Sequence, residues 1–304
     1  PTPTPAAGEV RVKLAASAVH PADTNRRAGR GYEMEGPLIV PHSDGAGVID
    51  AVGPGVLPAL IGERVWLYNG QRGGRVLGTA AEYICIDRDL TAPLPADVSF
   101  QDGACLGIPC MTAHRCLFAD GSVAGKTVLV SGGAGAVANY AIQLAKWVGA
   151  TVIATASAAG AEDARTAGAD VVFKSRDEDL CANVLRETGG QGVDLAVEVD
   201  FGGNLKDLAR IVRTNGSIAA YASRGDPNPA FPFYEMMRRN IVVRPILLPT
   251  CPLAARHRAQ RDIVRWLQEG QRFHRHVALE LSETAKAHEL VESAAKKGTV
   301  LVEP

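Results

Sequence analysis

The chain has 304 residues, of which 46% are hydrophobic, 21% charged and 5% aromatic, and its 32 basic and 33 acidic side chains leave a net charge of -1. A chain of this length suits two domains of ordinary size. So balanced a charge provides no basic face to displace phosphate counterions, and so few aromatic residues provide no stacking platform for RNA, which excludes nucleic-acid binding and points to small-molecule partners.

No charged segment followed by an apolar h-region opens the chain, and no run reaches the roughly 18 apolar residues of a membrane span. Cys85, Cys105, Cys110, Cys116, Cys181 and Cys251 form no C-x-x-C pair, so they read as buried free thiols of a reducing, cytoplasmic compartment. The opening "PTPTPAAGEVRVKL" has no methionine and reads as a linker entering a strand.

Residues 9–19, "EVRVKLAASAV", alternate apolar and polar in the period of a strand. The stretches "PHSDGAGVIDAVGPGV" and "GERVWLYNGQRGG" then give short apolar runs broken by Gly and Pro, the texture of a compact β lobe. From residue 99 longer helical stretches appear, and from 126 strands alternate with helix-sized segments. The predicted strands are 127–130, 151–155, 170–174, 193–199, 217–222 and 241–247, which makes a parallel, doubly wound α/β sheet. Between the first two, Val137, Ala141, Leu144, Ala145 and Val148 recur on one helical face. Two amphipathic helices, within 254–270 and 282–298, and a strand in "TVLVEP" close the chain. These patterns predict a discontinuous β domain, 1–98 with 248–304, interrupted by a dinucleotide-binding domain, 99–247.

The segment Gly133-Ala134-Gly135-Ala136-Val137-Ala138 follows a strand, opens an apolar-faced helix and leads to a second strand. That is the context in which a G-x-G-x-x-G/A turn seats a pyrophosphate on a helix N-terminus. Gly133 is expected to make the tight bend, Gly135 the close approach, and Ala138 the small contact between helix and strand. The acidic residue that would hold the ribose 2′-hydroxyl of NAD, about 20 residues on, is missing from Thr155-Ala156-Ser157-Ala158-Ala159-Gly160. Ser157, with Lys174 and Arg176 past the third strand, points to the 2′-phosphate of NADPH.

With these motifs in view, the chain resembles the zeta-crystallin-like quinone oxidoreductases of the medium-chain dehydrogenase/reductase superfamily. The resemblance is carried by "VHPADTNRRAG" (19–29), "PHSDGAGVIDAVG" (41–53), "GTAAEY" (78–83), "GIPCMTAHRCL" (107–117), "GKTVLVSGGAGAVA" (125–138), "GADVVFKSRDED" (168–179) and "ASRG" (222–225). It implies a Rossmann sheet inserted in a GroES-like catalytic domain, a homodimer joined through the sheet edge at "IVVRPILLP" (241–249), and the absence of roughly the first twenty residues of relatives. It further implies cofactor contacts from Ala134, Gly135, Ala136 and Val137 at the pyrophosphate, Ser157 at the adenosine ribose and Thr112 near the nicotinamide. Asn204, Tyr221, Ala222, Ser223 and Arg224 match further contacts. The chain departs from relatives at Ser175, where an aromatic or His covers the adenine, at Gly160 or Ala161, where a Lys stands near the 2′-phosphate, and at Ile39, where a Tyr stands by the nicotinamide.

The zinc-dependent branch places a Cys, a His and a Cys at the positions that here hold His20, Ser43 and Ile108, a set that cannot make a three-ligand open site. Without a metal to polarise a carbonyl, the acceptor is expected to be intrinsically electrophilic, a small quinone first and an α,β-unsaturated carbonyl as the alternative. A non-catalytic NADPH-binding role is the third reading. His20, Tyr68 and Asn69 are the candidates to stabilise or protonate the reduced acceptor. His20 stands where relatives carry an Asn by the nicotinamide, which also suits a cofactor-proximal role.

Overall fold

The computed structural model describes residues 2–30, 36–176, 179–269, 275–293 and 298–304. Residues 177–178 of the motif at 168–179, Gly270 of the first C-terminal helix and residues 294–297 of the second lie outside the described residues. In chain order come β1 (Glu9–Val19), α1 (Pro21–Arg27), β2 (Asp44–Val52), β3 (Arg64–Leu67), β4 (Tyr83–Asp87), β5 (Thr91–Pro93), α2 (Phe100–Ala104) and α3 (Gly107–Phe118). Next are β6 (Thr127–Val130), α4 (Ala136–Trp147), β7 (Thr151–Ala156), α5 (Ala161–Thr166), β8 (Val171–Lys174), α6 (Leu180–Glu187), β9 (Val193–Glu198) and α7 (Phe201–Ile211). The chain closes with β10 (Val212–Ala220), α8 (Phe233–Arg238), β11 (Val242–Pro245), α9 (Leu253–Leu267), β12 (His276–Glu280), α10 (Thr284–Glu292) and β13 (Thr299–Glu303).

The chain divides into two compact units, Pro1–Met111 with Arg256–Pro304, and Thr112–Ala255. The division falls at 111/112 and 255/256, later than the predicted 98/99 and 247/248. On the first side α2 packs on β1, β2 and β3 and so stays with the first unit.

In the first unit the strands run β12-β13-β1-β2-β3-β5, and β4 pairs with β1. Strand β1 joins them all because it is long: its first half pairs with β4 and its last residues with β13. Val10, Val12 and Leu14 point inward at period two and meet Ile49, Val65, Leu67, Ile84 and Ile86. In the second unit the order β11-β10-β9-β6-β7-β8 is parallel throughout. Its inner strands β6 and β7 are buried along almost their whole length, which is why "TVLV" and "TVIATA" read as almost unbroken apolar runs. The order reverses between β6 and β9, and in such sheets ligands bind at the C-terminal ends of the strands flanking that switch point. Among the described residues no helix is long and apolar enough to cross a membrane.

Candidate functional site

Strand β6 ends at Val130 and the chain turns at once into α4. The left-handed residue of that turn is Gly132 (φ 73°), so the tight bend belongs to it and not to Gly133 as the motif register suggested. Gly133 serves close packing instead: a Cβ there would stand 2.8 Å from the Cβ of Ala164, and its N–H donates to Thr155 O at 2.7 Å. Gly135 is the N-cap of α4 and brings no side-chain cap. The first-turn N–H groups, from Ala136 and Val137 onward, are thus left to an anion, with Ala134 in the turn above and Ala138 buried beneath.

At the neighbouring strand ends, β7 gives way to Ser157, whose Oγ accepts from Gly160 N at 3.2 Å and caps a short turn. No carboxylate follows β7 through residue 160. A Cβ at Gly160 would lie 2.5 Å from that of Ala134, so the lysine of relatives has no room at this position unless the turn shifts. Strand β8 registers Lys174 against Ala156, Ser175 N donates to Ala156 O at 3.0 Å, and Lys174, Ser175 and Arg176 are exposed. Ser157 and these three residues therefore meet at one end of the sheet.

On the other side of the switch point lie the remaining predicted contacts. Asn204, in the first half of α7, spends its amide on Glu198 at 2.9 Å. Ser223 accepts from Gly202 N at 2.9 Å, and Ala222 O accepts from Phe201 N, which stitches the segment Tyr221–Arg224 to the start of α7. Thr112 is buried on α3. Sequence reasoning missed Glu198, the last residue of β9, although a carboxylate closing the apolar run "LAV" was a signal.

The first unit carries a buried polar cluster that the sequence only partly disclosed. His20 Nε2 lies 2.6 Å from Asp44 Oδ2, the same oxygen that accepts from Ile108 N at 2.6 Å. A Cβ at Gly107 would run into this carboxyl, so only glycine lets the start of α3 rest on Asp44. Burial pushes the Asp44 carboxyl up, against the pull of His20, and Asp44 Oδ1 is buried without a partner among the described residues. Asp23 accepts from His20 N at 2.8 Å and from Arg72 at 3.2 Å. Burial opposes its ionisation, but His20, Arg72 and His42 together hold it below the ordinary carboxylate value.

Beside this cluster runs a chain of hydrogen bonds whose direction can be deduced. Thr79 Oγ1 donates to Asp44 O at 2.8 Å, so it accepts from Ser17 Oγ at 2.7 Å. Ser17, its one hydrogen used, accepts from His42 Nδ1 at 3.0 Å. His42 Nε2 is then the acceptor of His288 Nε2–H at 2.8 Å. His42 is wholly buried, stacks on His288 and holds a left-handed φ of 75°. Burial lowers it to about 4, with His288 and His20 adding repulsion against the attraction of Asp23.

The other catalytic candidates are placed differently. Tyr68 is a core residue with no exposed surface; its hydroxyl faces Asp89 O at 3.5 Å and Arg256, and burial pushes it up to about 12. That arrangement commits the hydroxyl inside the β unit and corrects its reading as a proton donor. Asn69 is left-handed (φ 59°) and buried, its Oδ1 without a partner among the described residues.

The zinc-ligand positions do not fit an ion. His20 Nε2 is engaged by Asp44, Ser43 Oγ lies 3.5 Å from Asp23, and Ile108 offers only a backbone N–H already bonded. Among the described residues no three His, Cys, Asp or Glu side chains converge to hold a metal.

Comparison with known proteins agrees with this geometry. Residues 6–96 match the alcohol dehydrogenase GroES-like domain, and residues 136–269 match the zinc-binding dehydrogenase family. Rat (Rattus norvegicus) quinone oxidoreductase is 32% identical over 228 residues, 73% of this chain and 67% of that protein. The 2-methylene-furan-3-one reductase of Solanum lycopersicum is 33% identical over 258 residues, 81% of this chain and 66% of that protein. The solved structure of mycobacterial Rv1454c complexed with NADPH superposes with a TM-score of 0.86 at 26% identity, covering 100% of this chain and 94% of that one. A GroES-like β unit, a dinucleotide sheet with its glycine turn and these relatives together make the chain a member of the zeta-crystallin-like quinone oxidoreductases, in the NAD(P)-binding medium-chain dehydrogenase/reductase superfamily.

Proposed function

We propose that this protein is an NADPH-dependent reductase that passes hydride to a small quinone without zinc. The observation that carries the cofactor choice is the end of β7 and β8, where no carboxylate repels a 2′-phosphate and Lys174 and Arg176 stand exposed beside Ser157. The glycine turn and the uncapped start of α4 suit the pyrophosphate, and Thr112, Asn204 and the segment Tyr221–Arg224 are assigned to the rest of the dinucleotide. The bound nicotinamide supplies the hydride. The chain's own residues orient and shield it, and His20, held by Asp44, is the candidate to hold a proton for the reduced acceptor. Six cysteines, none in a disulfide, suit a cytoplasmic setting.

Reduction of α,β-unsaturated carbonyls is the second reading, favoured by the similarity to the tomato furanone reductase. The deciding experiment follows oxidation of NADPH and of NADH with a panel of small quinones and enones. Preferential NADPH oxidation with quinones is expected. Turnover of enones alone moves the assignment to the second reading, and tight NADPH binding without turnover of any acceptor refutes both.

We also propose a homodimer joined along β11. This strand is the edge of the parallel sheet, and Val242 and Leu247 beside it are exposed apolar residues.

A further inference from the structure

The switch point of the parallel sheet is bridged by one carboxylate that the reading above leaves without a role. Glu198 closes β9 and has no exposed surface. Its Oε2 accepts from Ser131 Oγ at 2.6 Å, on the turn that follows β6. Its Oε1 accepts from Asp200 N at 2.6 Å and from Asn204 Nδ2 at 2.9 Å, on the turn that enters α7. The residue's own carbonyl accepts from Tyr221 N at 3.1 Å, at the end of β10. One side chain thus ties together the turns on both sides of the crevice where a dinucleotide lies in such sheets. No cation is paired with it among the described residues.

Glutamine fits the same three partners. Its Oε1 accepts from Asp200 and Asn204, and its Nε2 donates to Ser131 Oγ, which is able to accept. What glutamate adds is a charge, buried beside the seat of an anion. We propose that Glu198 is a positioning residue that clamps the two turns around the dinucleotide and takes up a proton when the pyrophosphate binds. The inference rests on the dinucleotide reading of this crevice. Burial already favours the neutral acid, against the pull of Ser131, Asp200 N and Asn204. The titratable groups that face it are Asp200 on its own turn and Tyr221 at the end of β10, which lies near Cys116 of α3. The turn after β6 and the start of α7 contribute Ser131 and Asn204, which do not titrate. Neither Asp200 nor Tyr221 supplies a positive charge to relieve two neighbouring anions, so protonation of Glu198 is the available relief.

The test measures NADPH dissociation constants by nicotinamide fluorescence from about pH 5.5 to about pH 8.5 for wild type, Glu198→Gln and Glu198→Ala. It adds calorimetry in two buffers of different ionisation enthalpy to count protons. The ligand's own 2′-phosphate titrates near about pH 6 and acts on all three proteins alike, so the ratio of wild type to Glu198→Gln is the readout. That ratio is expected to grow by about fivefold or more toward high pH, a typical coupling between sites, with wild type taking up protons that Glu198→Gln does not. Glu198→Ala, lacking the clamp, is expected to bind more weakly than Glu198→Gln at every pH. A flat ratio with equal proton counts overturns the inference and leaves the cofactor reading standing. Failure of wild type to bind NADPH or NADH overturns that reading and the inference with it.

Discussion

The His42–His288 contact sets a pH dependence of folding that can be calculated. His42 accepts from His288 through Nε2 and donates to Ser17 through Nδ1, so a second proton on His42 would put two N–H groups face to face across 2.8 Å. Burial is the largest cause of its fall from 6.5 to about 4. The unfolded chain binds the proton from about pH 6.5 downward and the folded chain does not until about 4. The stability this histidine contributes is therefore fully present above pH 6.5, is lost as pH falls through that window, and changes no further below it. At roughly 1.4 kcal/mol per unit, the loss amounts to about 3 kcal/mol. His288, also lowered by burial and by Arg27 against Asp23 and Glu292, acts in the same direction.

The perturbation is His42→Asn, because asparagine accepts the left-handed backbone that most side chains resist. It removes two hydrogen bonds and a stacked ring, a cost of about 2 kcal/mol at neutral pH. It also removes the titration. Urea unfolding of both proteins from about pH 8 to about pH 4.5 should show wild type losing stability more steeply, by up to about 3 kcal/mol. The raised Asp44 and Glu198 carboxyls act in the opposite direction but are common to both proteins. Equal slopes for wild type and His42→Asn would refute the burial of His42 in its neutral form.

Three further outcomes are expected. Asp44→Asn can keep an amide oxygen at the place of Oδ2, shared by Ile108 N and His20 Nε2, but removes the negative charge that holds the imidazole. On the reductase reading this lowers kcat/KM with enones by roughly a hundredfold while circular dichroism stays unchanged, and retained activity would remove the pair from the chemistry. The double change Lys174→Ala with Arg176→Ala should raise the KM for NADPH by about tenfold, the effect of losing charge-assisted contacts to a phosphate, with NADH kinetics unaltered; an equal change for both cofactors would place the 2′-phosphate elsewhere. Lysines at Val242 and Leu247 should convert a dimer to a monomer in sedimentation if β11 is the joined edge, and an unchanged mass would exclude that edge.

Much of this protein was legible in its sequence because the governing signals are local. Thr127–Val130 was predicted to the residue, since a short apolar run followed by glycines has few other solutions, and the later strands differ from their predicted limits mainly at the ends. The missing carboxylate after β7 and the unsuitability of Ser43 and Ile108 as zinc ligands are likewise matters of residue type. The turn register was misjudged by one residue because Gly132, Gly133 and Gly135 are indistinguishable until a backbone dihedral and a neighbour are known. Tyr68 looked like a donor because its surroundings were unknown, and its hydroxyl proved to be spent within the β unit.

What only the tertiary structure decided is which distant groups share a buried hydrogen bond. His42 meets His288 across 246 positions, Ser131 meets Glu198 across 67, and Asp44 reaches Ile108 across 64. Periodicity carries no trace of such pairs, because a buried polar atom is satisfied by whichever donor the fold brings within about 3 Å. Residue types and spacing sufficed for the sheet, the place of the glycine turn and the cofactor class. The protonation states of His42, Asp44 and Glu198 are set by burial and by partners that only folding assembles.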